Sequence, residues 1–248
     1  MSDDLWFTRL TLKRASSEIA PLIDTLAPKD GGEAMATTHR LMWSVMPQAV
    51  QRRWDRAAPD SPEGAPFLWR EQERGRRYYL LGPRPMENSP FFEIESKPYS
   101  LDLSPGDRLA FDLRVHATVD RKMSEAADGK AIRKRIDVAM NALLAQEREG
   151  ASLDERPQRR AGAAKDAACA WLTAQGERNG FALASATLIA YRVEVVPRGH
   201  RSPARMGIFD SVGLVEVSDP AAFAARVAAG FGRAKAFGCG LMLLRRAP

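Results

Sequence analysis

Apolar residues recur along the chain at two spacings, every second position and every third or fourth, and these periods divide it into strands and helices. Leu5 to Arg14 (LWFTRLTLKR) alternates imperfectly through Leu5, Phe7, Leu10 and Leu12 and predicts a first strand. Residues 15–32 hold Pro21, Pro28 and the Gly31-Gly32 pair and read as a loop with at most a short helical turn. A helix follows from Glu33 or Thr38 to Met46, with Met35, Met42, Val45 and Met46 at helical spacing and Pro47 as its stop. Phe67–Glu73 and Arg76–Gly82 flank Arg74-Gly75 as a hairpin, and Phe91–Lys97 is a short strand ending at Pro98. Strand, helix, two strands and strand make most of a ferredoxin-like plan with a weak second helix.

The pattern then starts again. After the turn Pro105-Gly106-Asp107, Arg108–Val119 alternates cleanly through Leu109, Phe111, Leu113 and Val115, the strongest strand signal in the chain. Residues 120–165 are mostly charged or small, and Asp154–Arg160 (DERPQRR), with almost no apolar content, reads as a mobile loop. A helix at Lys165–Gln175 and a long strand Phe181–Val196 follow. Pro197 to Arg205 forms a basic turn leading into the strand Ser211–Val217. Ser218 or Asp219 caps a helix with Pro220 at its first position and Gly230 past its end, and Cys239–Leu244 is the last strand. This half has the complete ferredoxin-like order. The expected fold is α+β: two tandem ferredoxin-like (RRM-like) domains, residues 1–99 and 106–248, the second holding a basic hairpin (197–205) and a glycine-rich loop (230–240). No self-similarity in sequence supports the duplication, which rests on element order.

Composition narrows the class. The 248 residues are long enough for one large domain or two small ones, and 45% hydrophobic residues are too many for a wholly disordered chain. The longest nearly uncharged apolar stretch, Phe181 to Tyr191, is too short to span a bilayer as a helix. The start, MSDDLWF, is acidic where a secretion signal carries base, and two cysteines, Cys169 and Cys239, make neither a disulfide framework nor a zinc ligand set. A cytoplasmic protein without a membrane partner is expected. The net charge is +6, and only 8 of the 37 basic residues are lysine. Arginine grips phosphate with two parallel N–H donors and stacks on bases, so the bias leans toward nucleic acid, although a G+C-rich genome produces the same preference.

Three places could carry chemistry. Gly230 to Gly240 (GFGRAKAFGCG) packs four glycines around Arg233 and Lys235 and could present N–H groups and cations to phosphate. It lacks the third glycine of a dinucleotide fingerprint, and a plain helix-to-strand connection explains the glycines equally well. His39 is one of three histidines, with His116 and His200. If Thr37 or Thr38 caps the helix, His39 lies in its first turn, where the helix dipole depresses the imidazole pKa and suits it to general acid–base work beside Arg40. His39 also shares a helical face with Met35, Met42 and Met46, where half-buried packing is the commoner role. In the basic turn, Arg198, Arg201 and Arg205 surround His200, a shape that could enter an RNA groove or simply face solvent. No metal-ligand spacing and no cofactor motif is present.

Taken together, HRLMWSVMP (39–47), FLWRE (67–71), EIESKPY (93–99), GDRLAFDLRVHATV (106–119), AWL (170–172), GLVEVSDPAAF (213–223) and GFGRAKAFGCGLMLL (230–244) resemble the CasE family of CRISPR RNA-processing endoribonucleases from the Cascade complex. The resemblance covers nearly the whole chain. It implies two ferredoxin-like domains, binding of the CRISPR repeat RNA stem-loop, and metal-independent cleavage of precursor crRNA at the 3′ base of the stem. The product would stay bound, with the protein as a subunit beside the other Cascade subunits. His39 matches the family's catalytic histidine. The 2′-hydroxyl would attack the adjacent phosphate and the 5′-oxygen would leave, with His39 as general acid or base and Arg40 stabilising the phosphorane. Arg198, His200, Arg201 and Arg205 would contact the stem, and Arg233 and Lys235 the backbone. The chain departs from the family at Ala36, where some members carry a tyrosine, and at Ser44, where a lysine or other polar group is usual. A non-catalytic stem-loop-binding subunit of the same complex is therefore the alternative.

Overall fold

The computed structural model describes residues 5–13, 20–22, 25, 31–56, 66–73, 75–125, 131–198 and 201–247. They group into two compact units. One comprises residues 1–102, 194–205 and 224–241; the other comprises residues 103–193, 206–223 and 242–248.

The first unit is built on four antiparallel strands, β1 (Trp6–Leu12), β2 (Leu68–Glu73), β3 (Arg77–Gly82) and β4 (Phe92–Pro98), in the order β2-β3-β1-β4. In β1 the inward side chains are Thr8, Leu10 and Leu12. Phe7, expected among them, lies on the opposite face and stacks on Tyr79 with ring centroids 5.3 Å apart. A strict period of two places Thr8 inside, and its hydroxyl is satisfied there by Ser96 Oγ at 2.9 Å. Helix α1 (Gly31–Trp43) lies against this sheet, and Leu41, Met42, Val45 and Met46 join Leu10, Leu12, Trp69, Tyr78, Leu80 and Phe92 in one core. Pro47 ends the turn after α1 and opens a second helix, α2 (Gln48–Arg56), which the sequence did not predict: the Pro47 carbonyl accepts from Val50 and Gln51. A proline that stops one helix is well suited to the first turn of the next. The weak second helix of the expected plan is absent. Residues 83–91, with Pro83, Pro85 and Pro90, form an irregular connection tied down by Met86 N to Val45 O and Lys13 Nζ to Ser89 O.

The second unit repeats the plan. Strands β5 (Arg108–Val115), β8 (Phe181–Arg198), β9 (Arg201–Val217) and β10 (Met242–Arg246) lie in the order β10-β5-β9-β8, so fourth, first, third and second strands occupy the same places as in the first sheet. The β5 alternation reads true: Leu109, Phe111, Leu113 and Val115 are all buried. Strands β8 and β9 are longer than expected, so most of the stretch 197–205 extends the two strands, while its Gly199-His200 centre lies outside the described residues. Helix α5 (Pro220–Ala229) starts as read, with Asp219 accepting from Ala222 N at 3.0 Å.

The stretch 120–165 corrects the sequence reading. It holds the two-stranded ribbon β6 (Thr118–Glu125) and β7 (Ala131–Asp137), helix α3 (Val138–Arg148) and the start of the 24-residue helix α4 (Arg156–Asn179). Arg156 to Arg160, read as mobile, is the first turns of α4. Arg156 forms a double hydrogen bond with Glu147 at 2.5 and 2.6 Å, and Arg159 reaches Gln146 and the Ser152 carbonyl. Lack of apolar residues there marks a solvated helix face held by charge, not an unfolded segment.

Candidate nucleic-acid site

His39 is the ninth residue of α1 as described from Gly31, so Thr37 and Thr38 are interior and cap nothing. Thr38 is buried, and Thr37 Oγ1 accepts from Arg40 Nη2 at 3.1 Å. The helix N-terminus therefore does not depress the His39 pKa. It is nevertheless lowered from the ordinary histidine value, first by burial; the Ala236 carbonyl pulls the other way, and Arg40 lowers it further.

Geometry gives His39 close neighbours that are aromatic. Trp43, one turn along the helix, donates its indole N–H to His39 Nε2 at 3.3 Å, and the two rings meet edge-on with centroids 6.3 Å apart. Phe237 packs on the imidazole at 6.0 Å. Nδ1 is buried and makes no well-formed hydrogen bond among the described residues, although the Ala236 carbonyl acts on the ring closely enough to raise its pKa. Trp43 is braced in turn by Phe67, edge-on at 5.0 Å.

Phe237 belongs to the glycine-rich segment, which packs against α1 and β2. Trp69 Nε1 donates to the Ala236 carbonyl at 3.1 Å, fixing the segment beside His39. Gly238 lies flat on the same indole with φ 75°, and a Cβ there would come within 2.7 Å of the Trp69 ring. Gly230 ends α5 at φ 74°, where a Cβ would meet Leu68 at 2.7 Å. The connection reading's glycine at the helix end is present at Gly230, and Gly238 is additionally required by the close approach of backbone to Trp69. The segment's cations differ. Arg233 is exposed, whereas Lys235 is half-buried and donates to the Ala229 carbonyl at 2.6 Å, supporting the end of α5. Burial, Arg226 and Arg233 hold the Lys235 pKa below the ordinary lysine value.

The first unit therefore brings together His39, its exposed neighbour Arg40 and the stretch Arg233–Phe237. Arg205 is exposed and has no hydrogen bond or ion pair to this cluster among the described residues. Arg198 and Arg201 lie at strand ends, with only their backbone described, and His200 lies outside the described residues. His116 is structural: its Nδ1 pairs with the Gly207 carbonyl at 2.9 Å. Ser44, at a departure from the family pattern, donates to the Leu41 carbonyl at 2.7 Å. Among the described residues no group of three or more His, Cys, Asp or Glu could hold a metal ion, and no helix is long and apolar enough to cross a membrane. Sequence reasoning missed Trp43, Trp69 and Phe237. The four-residue spacing of His39 and Trp43 could have revealed the first; nothing local marks Trp69 and Ala236 as neighbours.

Two sheets in the same strand order, one bearing a histidine helix against which a C-terminal glycine-rich segment is seated, define a tandem ferredoxin-like α+β protein. Within that class the chain belongs to the family of CRISPR associated proteins, whose profile matches residues 5–246. Its fold is that of Thermus thermophilus Cse3 bound to an RNA representing a pre-cleavage complex, with 23% identity, a TM-score of 0.59, and coverage of 99% of this chain and 100% of that one. It is likewise similar to Cas6e from Escherichia coli str. K-12, with 16% identity, a TM-score of 0.58 and coverage of 98% and 100%. A CRISPR endoribonuclease Cse3 bound to 19 nt RNA matches with 22% identity, a TM-score of 0.57 and coverage of 98% and 100%. No curated protein matches in sequence. The resemblance to the CasE family and the tandem ferredoxin-like fold are both borne out.

Proposed function

We propose that this protein is a cytoplasmic endoribonuclease that binds the stem-loop of CRISPR repeat RNA, cleaves precursor crRNA at the 3′ base of the stem without a metal ion, and stays bound as a Cascade subunit. The observation that carries the reading is His39: an imidazole held neutral by burial, beside an exposed arginine, in a fold shared with RNA-bound Cse3. A histidine with a depressed pKa is largely a free base at neutral pH and can take a proton from a ribose 2′-hydroxyl. That hydroxyl attacks the adjacent phosphate, the 5′-oxygen leaves and takes up a proton from the imidazolium or from water, and a 2′,3′-cyclic phosphate results, which water opens where a 3′-phosphate end forms. Nε2 takes the proton, exchanging the Trp43 hydrogen bond for one to the substrate. Arg40, whose only described hydrogen bond is to Thr37, turns its guanidinium to the phosphorane. Arg198, His200, Arg201, Arg205 and Arg233 supply contacts to the RNA, and Lys235 supports the loop that carries Arg233.

The test is incubation with labelled repeat RNA. The unmodified protein yields one discrete product, His39→Ala yields none while still retaining the stem-loop, and a deoxyribose at the attacking nucleotide blocks cleavage. EDTA leaves the rate unchanged; strong inhibition overturns the metal-free part. A second reading, a stem-loop-binding subunit without activity, is favoured by Ala36, which has no group able to transfer a proton, and by Ser44, whose hydroxyl is engaged by the Leu41 carbonyl. Tight binding with no product from the unmodified protein establishes that reading.

A further inference from the structure

The ribbon β6–β7 has a charge arrangement that the proposed reaction does not use. Its register places Asp120 opposite Arg135, Arg121 opposite Lys134 and Lys122 opposite Arg133. Only the first of these pairs is complementary: Arg135 grips Asp120 at 2.8 and 3.2 Å. The next two set cation beside cation, with Arg121 also donating to the Asn141 side-chain oxygen at 3.3 Å. All of residues 131–135 are exposed, as is Lys122. The acid at the end of β7, Asp137, faces the fold, accepting from Met140 N at 2.9 Å and from the Tyr191 hydroxyl at 3.0 Å. At the foot of the ribbon an open cleft of about 380 Å³ is lined by Arg121, Arg148, Leu144, Leu153 and Glu147. Its one carboxylate is already bound by Arg156, so the cleft keeps a surplus of positive charge.

We infer that the β6–β7 ribbon, with Arg121 and Arg148 at its foot, is a second phosphate-backbone contact for RNA, built by the insertion between β5 and α4 and additional to His39 and the basic stretch 197–205. Successive residues of a strand point to opposite faces, so Arg121 and Lys134 project to one side of the ribbon and Lys122 and Arg133 to the other. Arg121 is turned toward α3 through Asn141, so the accessible cations are the exposed Lys122, Arg133 and Lys134, a row of charges along the ribbon that suits a phosphate backbone. This inference rests on the RNA-binding reading above.

The test is the salt dependence of stem-loop RNA binding for the unmodified chain and for the triple variant Lys122→Ala/Arg133→Ala/Lys134→Ala. Each lost phosphate contact lowers the slope of log K against log salt by about 0.7–0.9, so the triple variant should lose about 2–3 of slope and bind more weakly at low salt. The charge-retaining variant Lys122→Arg/Arg133→Lys/Lys134→Arg restores the slope and so separates lost contacts from a misfolded ribbon. An unchanged slope in the triple variant overturns this inference alone. Unchanged RNA binding with loss of association with other Cascade subunits overturns it in favour of a protein partner. Failure of the unmodified chain to bind the RNA at all overturns the proposed function and this inference together.

Discussion

Trp43 donates its indole N–H to Nε2 of His39, 3.3 Å away across one turn of helix. A ring nitrogen that accepts is unprotonated, so the neutral imidazole carries its hydrogen on the buried Nδ1. A protonated imidazole cannot accept this bond. Trp43 therefore reinforces what burial already does, favouring the neutral base. Trp43→Phe keeps an aromatic ring against Phe67 and removes only the donor. With a hydrogen bond worth about 0.5–1.5 kcal/mol, the His39 pKa should rise by up to about one unit. The acid limb of the cleavage rate profile moves to higher pH by the same amount, and histidine NMR titration checks it. A profile that keeps its shape and position while the rate falls would show that Trp43 only packs.

The same depressed pKa ties stability to pH. In the unfolded chain His39 titrates near 6.5; in the folded chain it titrates lower, mainly because of burial. Between those values the unfolded state binds the proton and the folded state does not, so this stabilising contribution is complete above the unfolded value and is lost as pH falls through the folded one. Urea midpoints measured from neutral to mildly acidic pH should fall for the unmodified protein and fall less for His39→Leu. Parallel curves would sink the prediction.

How much was legible follows from how far each interaction reaches along the chain. Strand β5 was readable because Leu109, Phe111, Leu113 and Val115 all face one core. The start of α1 was not. Gly31 and Gly32 look like a loop, yet both are helical, and Gly32 is buried, so packing overrides the local preference. Pro197 and Pro203 made 197–205 look like a turn, but Pro197 lies on β8, an edge strand, where a missing N–H is tolerated. His39 and Arg40 could be singled out from their type and setting. Their environment could not, because it is set by Trp69 and Ala236, separated by 167 residues.

Gly238 tests whether the glycine-rich segment shapes the His39 environment. Gly238→Ala puts a side chain at φ 75° and drives its Cβ to 2.7 Å from the Trp69 ring. The expected loss is about 1–3 kcal/mol of stability, together with slower cleavage, as Ala236 and Phe237 move away from the imidazole. Gly162→Ala is the control. It lies within α4 with nothing near its Cβ position, so it should stabilise by up to about 1 kcal/mol and leave cleavage untouched. Urea denaturation and cleavage of the same preparations decide it, and a Gly238→Ala protein as active and stable as the parent would refute the close-approach argument.

In the second unit, Asp210 is shared by two arginines. Arg114 approaches it at 2.7 Å and Arg192 at 2.5 Å, with only 13% of the aspartate side chain exposed. Burial alone would push its pKa up, but the two guanidiniums outweigh burial and hold it below the ordinary aspartate value. The contribution is thus present above the unfolded value of 3.8 and is lost as pH falls through the lower folded value. Asp210→Asn leaves two neighbouring cations without their carboxylate. A fully buried pair broken this way loses about 3–5 kcal/mol, and partial exposure of both arginines reduces the expected loss to roughly 1–3 kcal/mol. The variant should also lose less stability on acidification than its parent, because the group that titrates is gone. Equilibrium denaturation of both proteins at neutral and at strongly acid pH measures the two effects together, and an Asp210→Asn protein that matches its parent at neutral pH would mean the arginines find solvent instead.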